Sequence, residues 1–234
     1  MKSGRNFVLG DIHGAYRALM ECIEKADFNY KDDILICLGD VCDGWPDINK
    51  AIDELLKIDN LVYILGNHDD WALKWFISGE APGIWTSQGG KATIESYKGR
   101  IPTEHVEFLK RARLYYKKDN KVFTHGGFNI FEELEYQDKD IFIWDRTLLQ
   151  LALNLHYSSS EKNITGYDEV YLGHTPTINF GVNEPKKICE IYMMDTGAGW
   201  PGGVLSLMNV DTKEVFISTQ VDKLYPGIAG RGGF

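Results

Sequence analysis

The chain contains FVLGDIHG at residues 7–14, where a short apolar run is followed by a glycine and two polar side chains. The same pattern returns as ICLGDVCD at 36–43 and as YILGNHDD at 63–70. Segments 15–26 and 47–58, which lie between these runs, have the apolar spacing of helices. Continuous apolar runs of this kind are typical of strands that are covered on both faces. The first part of the chain therefore predicts a β-α-β-α-β unit with adjacent parallel strands and right-handed crossovers.

The second half of the chain is richer in strand. Its predicted strands cover residues 121–124, 169–173, 191–195, 204–209 and 214–219. A helix is predicted over 144–155, and the polar segment 157–165 is predicted to be a surface loop. Neither a repeat nor a linker divides the sequence, so we expect one domain over 1–234. Its glycine-rich end, 226–234, is expected to be a flexible tail.

Composition and charge limit the partners that this chain can have. The 234 residues are 44% hydrophobic and 25% charged, as in globular proteins. Its apolar runs fall short of the ~20 residues needed to span a bilayer, and its first residues lack a signal-peptide pattern. We therefore expect a cytoplasmic protein without a membrane partner. A net charge of −9 argues against nucleic acid as a partner, and the sequence leaves the oligomeric state open.

Polar side chains follow five of the predicted strands at the point where each strand ends. Because the carboxyl ends of parallel strands meet at one edge of a sheet, we expect these side chains to converge. They are Asp11, His13, Asp40, Asn67, His125 and His174. Any one of them alone is better explained as a helix cap, a turn residue or a structural histidine. Five strand ends that each supply Asp, Asn or His together predict a binding site.

The chemistry of these side chains indicates transition metals. They offer carboxylates, imidazoles and one amide, which suit manganese, iron, zinc or cobalt. Six ligands are enough for two ions that share a carboxylate, and two ions about 3.5–4 Å apart can clamp the oxygens of a phosphoryl group. We expect two divalent transition-metal ions, with manganese first among them. The other two histidines, His105 and His156, follow no strand and are expected on the surface or on a helix face.

The motifs GDIHG, GDVCD, GNHD, HGG and GHT, in this order, resemble those of the calcineurin-like metallophosphoesterases. More narrowly, the chain resembles the phosphoprotein phosphatase branch, which includes bacterial and phage serine/threonine phosphatases and the symmetrical diadenosine tetraphosphatases. The later DTGA at 195–198 also resembles this branch. The resemblance implies an α/β fold in which a β-sandwich of two sheets is flanked by helices. It also implies an enzyme that hydrolyses a phosphate ester or anhydride.

The resemblance further implies which side chains hold each metal. The first metal would take the ligands Asp11, His13 and Asp40. The second metal would share the carboxylate of Asp40, which bridges the two ions, and would add the ligands Asn67, His125 and His174.

Catalytic and substrate-binding roles are implied in the same way. His68 would be the general acid that protonates the leaving oxygen, and Asp43 would orient it. Such a carboxylate partner fixes the imidazole tautomer and favours its protonated form. Arg146, in a W-x-R element at 144–146, would grip the substrate phosphate through its bidentate fork, and Asn67 would also bind substrate.

The chain departs from the family pattern at Gly44. The phosphatases have G-D-x-V-D-R-G at this motif, and here the arginine is replaced by Gly44, which removes one phosphate clamp. The tetraphosphatases typically keep that arginine but lack the acid at the position of Asp43, so the chain matches neither subgroup in full. Lys91 is a candidate to replace the lost charge, although it is equally explained as a solvated residue. Trp45 either stacks on an aromatic substrate or packs in its loop.

Three functions remain open at this point. The first is a serine/threonine protein phosphatase, which hydrolyses phosphomonoesters on a phosphorylated protein. The second is an enzyme for nucleotide substrates, such as dinucleoside polyphosphates of the diadenosine tetraphosphate type or capped RNA ends. The third is a non-catalytic, metal-stabilised module that binds phosphorylated proteins. The presence of His68 and Asp43 argues against the module, because binding alone needs no acid.

Overall fold

The structure, a computed structural model, describes residues 4–233 of the chain. Its strands are β1 (Asn6–Leu9), β2 (Ile34–Cys37), β3 (Asn60–Tyr63), β4 (Tyr115–Lys118), β5 (Lys121–Thr124), β6 (Glu169–Leu172), β7 (Lys186–Ile188), β8 (Ile191–Met193), β9 (Ser206–Asn209) and β10 (Val215–Ile217). Its α-helices are α1 (Tyr16–Lys25), α2 (Ile48–Leu55), α3 (Asn67–Ser78), α4 (Gly83–Trp85), α5 (Lys91–Tyr97), α6 (Thr103–Lys110), α7 (Lys139–Trp144), α8 (Thr147–Tyr157) and α9 (Val221–Leu224). Within 4–233, no helix is both long enough and apolar enough to cross a membrane.

The first sheet contains the strands that the opening motifs predict. Its strand order is β10-β9-β1-β2-β3. β2 pairs in parallel with both β1 and β3, so that Phe7, Leu35 and Leu61 stand side by side. β9 and β10 add antiparallel strands on the other side of β1. The predicted parallel unit is confirmed, and it brings the carboxyl ends of β1, β2 and β3 to one edge.

The second sheet is also mixed, with the strand order β4-β5-β6-β8-β7. Its centre, β5-β6-β8, is parallel, while β4 and β7 are antiparallel at the two edges. The sequence pattern does not predict these edge strands, because YYKK and KKI carry lysines instead of a continuous apolar run. Lysine on an edge strand is a common protection against pairing with another chain.

The two sheets pack face to face and are covered by helices on their outer faces. Between them lies a stack of the Phe123, Tyr171 and Tyr192 rings, with centroids 4.7 and 4.9 Å apart, in one apolar cluster with Val8 and Ile36 of the first sheet. The apolar faces of α1, α2 and α3 cover the first sheet, and those of α7 and α8 cover the second. The predicted α/β architecture, a two-sheet β-sandwich flanked by helices, is confirmed.

The predicted helix over 144–155 is in fact two helices. α7 ends at Trp144, Asp145 has an extended backbone with φ −69° and ψ 138°, and α8 begins at Thr147. The carboxylate of Asp145 accepts the backbone N–H of Thr147, which stabilises this turn. The break places Arg146 between two helices instead of on the face of one.

The last described residues lie against the edge where the parallel strands end. Residues Gly230–Gly233 form a 3-10 turn, and the N–H of Arg231 donates to the carbonyl oxygen of Gly199 at 2.9 Å. Gly230 is buried against the ring of Trp45. The flexibility of 226–234 stays a prediction, and Phe234 lies outside the described residues.

Candidate active site

The six predicted ligands lie together beyond the carboxyl ends of β1, β2, β3, β5 and β6. Four side chains of this region stand on a left-handed backbone, with φ of 49° at His13, 52° at Asp40, 69° at Asp43 and 65° at His174. This conformation is uncommon and unfavourable for residues other than glycine. Its concentration at one edge of the sheets indicates a functional site.

Asp40 lies at the centre of the cluster. Its Oδ2 lies 3.7 Å from Nε2 of His13 and 3.4 Å from Nε2 of His125. Nε2 of His125 is also 3.0 Å from Oδ1 of Asn67. Asp11, His13 and Asp40 are all buried and place ligand atoms within 4.8 Å of one another. This central position suits a carboxylate that is shared between two cation sites.

Backbone carbonyls orient the two imidazoles beside Asp40. Nδ1 of His13 lies 3.0 Å from the carbonyl oxygen of Cys42, and Nδ1 of His125 lies 2.8 Å from that of Leu38. When Nδ1 carries the proton and donates it to the carbonyl, Nε2 keeps its lone pair on the side of Asp40. Metal-binding histidines usually have such a partner on their second ring nitrogen, so this orientation fits a metal site.

His174 and Asp11 complete the cluster. The backbone N–H of His174 donates to Oδ2 of Asp11 at 3.0 Å. The imidazole ring of His174 lies beside that of His125, with centroids 4.9 Å apart. Nε2 of His174 lies 3.2 Å from the carbonyl oxygen of Trp144. A Cβ on Gly173 would lie 2.4 Å from Oδ1 of Asp11. The glycine before His174 is therefore required by the close approach of Asp11.

Several carboxylates are buried in this region, and among them Asp11, Asp40 and Asp195 are each at most 3% exposed. Burial, together with the charge of Asp195, raises the pKa of Asp11 well above its ordinary value. Burial acts in the same direction on Asp40, but the imidazoles of His125 and His68 hold the pKa of Asp40 well below its ordinary range. Buried like charges are unfavourable unless cations compensate them. The donor set and its charge therefore fit bound metal ions.

His68 lies beside the cluster and is paired with a buried carboxylate. Its Nδ1 lies 2.6 Å from Oδ2 of Asp43. Asp43 also accepts hydrogen bonds from Nε1 of Trp85 at 2.7 Å and from Oγ1 of Thr93 at 2.6 Å, which hold it in place. The His68 ring stands edge-on to the ring of His13, with centroids 5.1 Å apart. Because Nδ1 faces Asp43, this carboxylate fixes the orientation of the imidazole and leaves Nε2 on the opposite side of the ring.

Asp69, which is not among the predicted site residues, accepts hydrogen bonds from the backbone of the site. Its Oδ2 accepts the N–H of Asp40 at 2.8 Å, the N–H of Gly66 at 3.1 Å and the hydroxyl of Tyr63 at 2.8 Å. Its Oδ1 accepts the N–H of Cys42 at 3.2 Å. An acid three residues after the residue that precedes a helix is a known signal of a helix start, and it could have drawn attention to Asp69.

We expect Asp69→Asn to lower the free energy of unfolding by about 2–4 kcal/mol and to weaken metal binding, because the amide keeps one oxygen for four donors. Urea unfolding measures the first effect, and metal content after dialysis measures the second. Asp59→Asn, the same change at an exposed position, is the control and should alter neither. A free energy of unfolding equal to that of the wild type would contradict this role for Asp69.

Arg146 reaches the site from the break between α7 and α8. Its Nε donates to Oγ1 of Thr175 at 3.1 Å, and its Nη2 lies 3.4 Å from the carbonyl oxygen of His174. The residue is exposed, and it lies close enough to the buried carboxylates for their charges to act on it. The guanidinium is thus placed beside the cluster and accessible to a ligand.

Two aromatic side chains for which the sequence left alternatives open, Trp45 and His105, are buried. Nε1 of Trp45 donates to the carbonyl oxygen of Ala198 at 2.6 Å, and its ring stacks on Tyr225 at 5.4 Å, so Trp45 packs in its loop. His105 lies on α6, which agrees with the expected position on a helix face, and its side chain is only 1% exposed, so the surface alternative is excluded. Lys91 is exposed at the start of α5, and its role as a replacement charge stays a prediction.

Comparison with known proteins supports the resemblance seen in the motifs. The chain is 25% identical over 217 residues to serine/threonine-protein phosphatase 1 of Salmonella typhimurium, and the alignment covers 87% of this chain and 91% of that protein. It is 24% identical over 239 residues to the asymmetrical bis(5'-nucleosyl)-tetraphosphatase PrpE of Anoxybacillus flavithermus, with 90% and 92% covered. Its fold matches the crystal structure of a metallophosphoesterase from Sphaerobacter thermophilus with a TM-score of 0.60 at 14% identity, which covers 93% of this chain and 88% of that chain.

The family itself is shown by a match along most of the chain. The model of the calcineurin-like phosphoesterase family matches residues 5–195, a range that contains all six predicted ligands and the pair of His68 and Asp43. The ordered motifs, the two-sheet fold and this match agree, and the chain therefore belongs to the calcineurin-like phosphoesterase family.

Proposed function

We propose that this chain is a metal-dependent phosphomonoesterase that removes phosphate from serine or threonine side chains of proteins. The observation that carries the proposal is the buried pair of His68 and Asp43, 2.6 Å apart, beside the carboxylate–imidazole cluster. An alkoxide is a poor leaving group, so the release of serine or threonine needs a proton donor. A carboxylate partner orients an imidazole and favours its protonated form. A site built in this way suits alkyl phosphates.

The cluster would hold two divalent transition-metal ions, with manganese first and iron, zinc or cobalt as alternatives. The orientation of the imidazoles and the buried negative charge support this assignment. When bound, such ions polarise a phosphoryl group and lower the pKa of an attacking water. The proposed ligands of the first ion are Asp11, His13 and Asp40, and those of the second are Asp40, Asn67, His125 and His174.

The remaining side chains would bind the substrate and move the proton. Arg146 offers a planar, bidentate donor to phosphate oxygens, and the amide of Asn67 offers a further contact. Nε2 of His68 would donate its proton to the leaving oxygen of the substrate. Asp43, held by Trp85 and Thr93, would stay fixed and keep the imidazole in its donating orientation.

A second candidate is the hydrolysis of dinucleoside polyphosphates, which the likeness to the tetraphosphatase of Anoxybacillus flavithermus favours. In that reaction the leaving group is a nucleotide phosphate, which is far more stable as an anion than an alkoxide and needs a proton donor less. The retained pair of His68 and Asp43 therefore favours the phosphomonoesterase. A non-catalytic phosphoprotein-binding module would have no use for this pair.

A comparison of substrates on one preparation separates these functions. Manganese-loaded protein is given a phosphoserine peptide, p-nitrophenyl phosphate, diadenosine tetraphosphate and capped RNA. We expect hydrolysis of both monoesters, which a chelator abolishes and added manganese restores. A higher kcat/KM on diadenosine tetraphosphate or capped RNA than on the peptide would overturn the proposal in favour of a nucleotide substrate. Binding of the phosphopeptide without hydrolysis of any substrate would indicate the module.

Arg146→Ala is expected to raise KM and lower kcat, with a loss of about 10²–10³ in kcat/KM. The reason is that the guanidinium would bind the substrate phosphate and also stabilise the negative charge that develops on it in the transition state. Steady-state kinetics on the phosphoserine peptide measure both constants. Arg111→Ala is the matched control, since Arg111 lies with Leu56 and Leu61 near the amino end of β3, away from the site. Unchanged kinetics in Arg146→Ala would assign the phosphate to another cation.

A further inference from the structure

We propose that Arg231, in the turn over Gly230–Gly233, supplies the phosphate-binding guanidinium that the phosphatase pattern has at the position of Gly44. This inference rests on the proposed function, because it adds a second phosphate contact to the same site. Arg231 and Gly44 are far apart in the chain, but their atoms meet in the structure.

The stem of the Arg231 side chain fills the space in front of three glycines. A Cβ on Gly44 or on Gly89 would lie 3.2 Å from Cγ of Arg231, and a Cβ on Gly199 would lie 2.9 Å from its Cδ. Any side chain at position 44 would therefore compete with Arg231 for the same volume. The side chain of Arg231 can therefore occupy this position only because residue 44 is a glycine.

The guanidinium of Arg231 lies beside the proposed ligands of the first metal. Its Nη1 is 3.3 Å from Nε2 of His13, and its Cζ lies over the ring of Trp200, 4.9 Å from the centroid. Its Nε is buried, and none of the residues in 4–233 accepts a hydrogen bond from it. A buried donor without an acceptor is unfavourable. A phosphate oxygen bound in the site would supply the missing acceptor.

The backbone of the turn is anchored on Trp45. The N–H of Arg231 donates to the carbonyl oxygen of Gly199 at 2.9 Å, and Gly230 packs so closely that a Cβ would lie 2.7 Å from the Trp45 ring. Trp45 is itself fully buried. Two neighbouring residues of the second motif therefore act together, because Gly44 leaves room for the arginine and Trp45 supports the turn that carries it.

Arg231 and Arg146 approach the cluster from different segments of the chain. Nη1 of Arg231 lies 3.3 Å from Nε2 of His13, and Nη2 of Arg146 lies 3.4 Å from the carbonyl oxygen of His174. The charge of Arg231 acts on Arg146, so the two guanidinium groups lie within electrostatic reach of each other. Two guanidinium groups within electrostatic reach repel each other unless an anion is shared between them. Two arginines beside the proposed metal ligands would donate charge-assisted hydrogen bonds to oxygens of the same phosphate.

Inorganic phosphate is the probe for this proposal, because its binding does not depend on turnover. Calorimetry on the manganese-loaded protein should show phosphate binding weakened about 10–100-fold in Arg231→Ala, as expected for the loss of charge-assisted hydrogen bonds. Arg231→Lys should recover only part of the affinity, since an ammonium lacks the planar fork. Arg111→Ala, which removes an arginine away from the site, should bind phosphate like the wild type. Manganese content should be unchanged in all three variants.

Methylguanidinium added to Arg231→Ala should restore part of the phosphate affinity, which a purely structural role for the arginine would not allow. Wild-type phosphate affinity in Arg231→Ala with manganese retained would overturn the proposal. Loss of manganese in Arg231→Ala and Arg231→Lys would also overturn it, because Arg231 would then support His13 instead of phosphate. The proposed function has a separate test. It fails if the wild type does not hydrolyse the phosphopeptide, and this result is possible even when phosphate binding depends on Arg231.

Discussion

His68→Asn is expected to slow the hydrolysis of a phosphoserine peptide by about 10²–10⁴, and to slow that of p-nitrophenyl phosphate far less. The difference arises from the leaving group, because a serine alkoxide must be protonated as it departs, whereas nitrophenolate is stable as an anion. His68 is buried with Nδ1 held 2.6 Å from Oδ2 of Asp43, and in the proposed function its Nε2 makes this transfer. Steady-state rates of wild type and His68→Asn, measured with manganese on both substrates, give the loss of rate for each substrate. The ratio of these two losses tests the proton-donor role of His68.

Metal content is the control for this experiment. The side chain of His68 is bonded to Asp43, and its contact with Asp40 is made by the backbone N–H at 2.9 Å, which asparagine keeps. Manganese should therefore stay near its wild-type level. Asp43→Asn should show a weaker form of the same bias between substrates, because it only orients the imidazole. Equal slowing of both substrates with metal retained would remove the proton-donor role, and loss of metal would make His68 a ligand.

The convergence of the cluster could be predicted because it depends on local pattern and on a general rule of sheet geometry. Asp11, Asp40 and Asn67 each follow a glycine at the end of a short apolar run. Parallel pairing of β1, β2 and β3 then brings these ends to the same edge without any further information. The same reasoning places His125 and His174 at the ends of β5 and β6. For these residues, sequence position alone was sufficient to anticipate their neighbours.

The residues that escaped prediction depend on contacts between distant segments. Nothing in the composition of 226–234 indicates that Arg231 packs beside His13, because glycine-rich ends are usually mobile. Trp85 and Thr93 bind Asp43 from α4 and α5, and neither stands in a motif that could have pointed to this contact. Such contacts become visible only when the tertiary structure is known.

Asp40 links three parts of the site. Its Oδ1 accepts the backbone N–H of His68 at the start of α3, while its Oδ2 faces Nε2 of His125 at 3.4 Å and of His13 at 3.7 Å. Burial alone would raise its pKa, but the surrounding imidazoles hold the pKa well below the ordinary range, so the carboxylate is charged at neutral pH. A charged carboxylate between the two proposed sets of ligands would attract an ion on either side.

Asp40→Asn is therefore expected to reduce bound manganese from about two equivalents per chain to one or fewer, and kcat/KM by about 10³ or more. The amide keeps the size of the side chain but loses its charge and one acceptor oxygen. A ligand that binds only the folded state raises Tm, so the manganese-dependent rise in Tm should shrink in Asp40→Asn. It should persist in Asp59→Asn, which makes the same change at an exposed position. Two full equivalents of manganese in Asp40→Asn would show that the ions do not share this carboxylate.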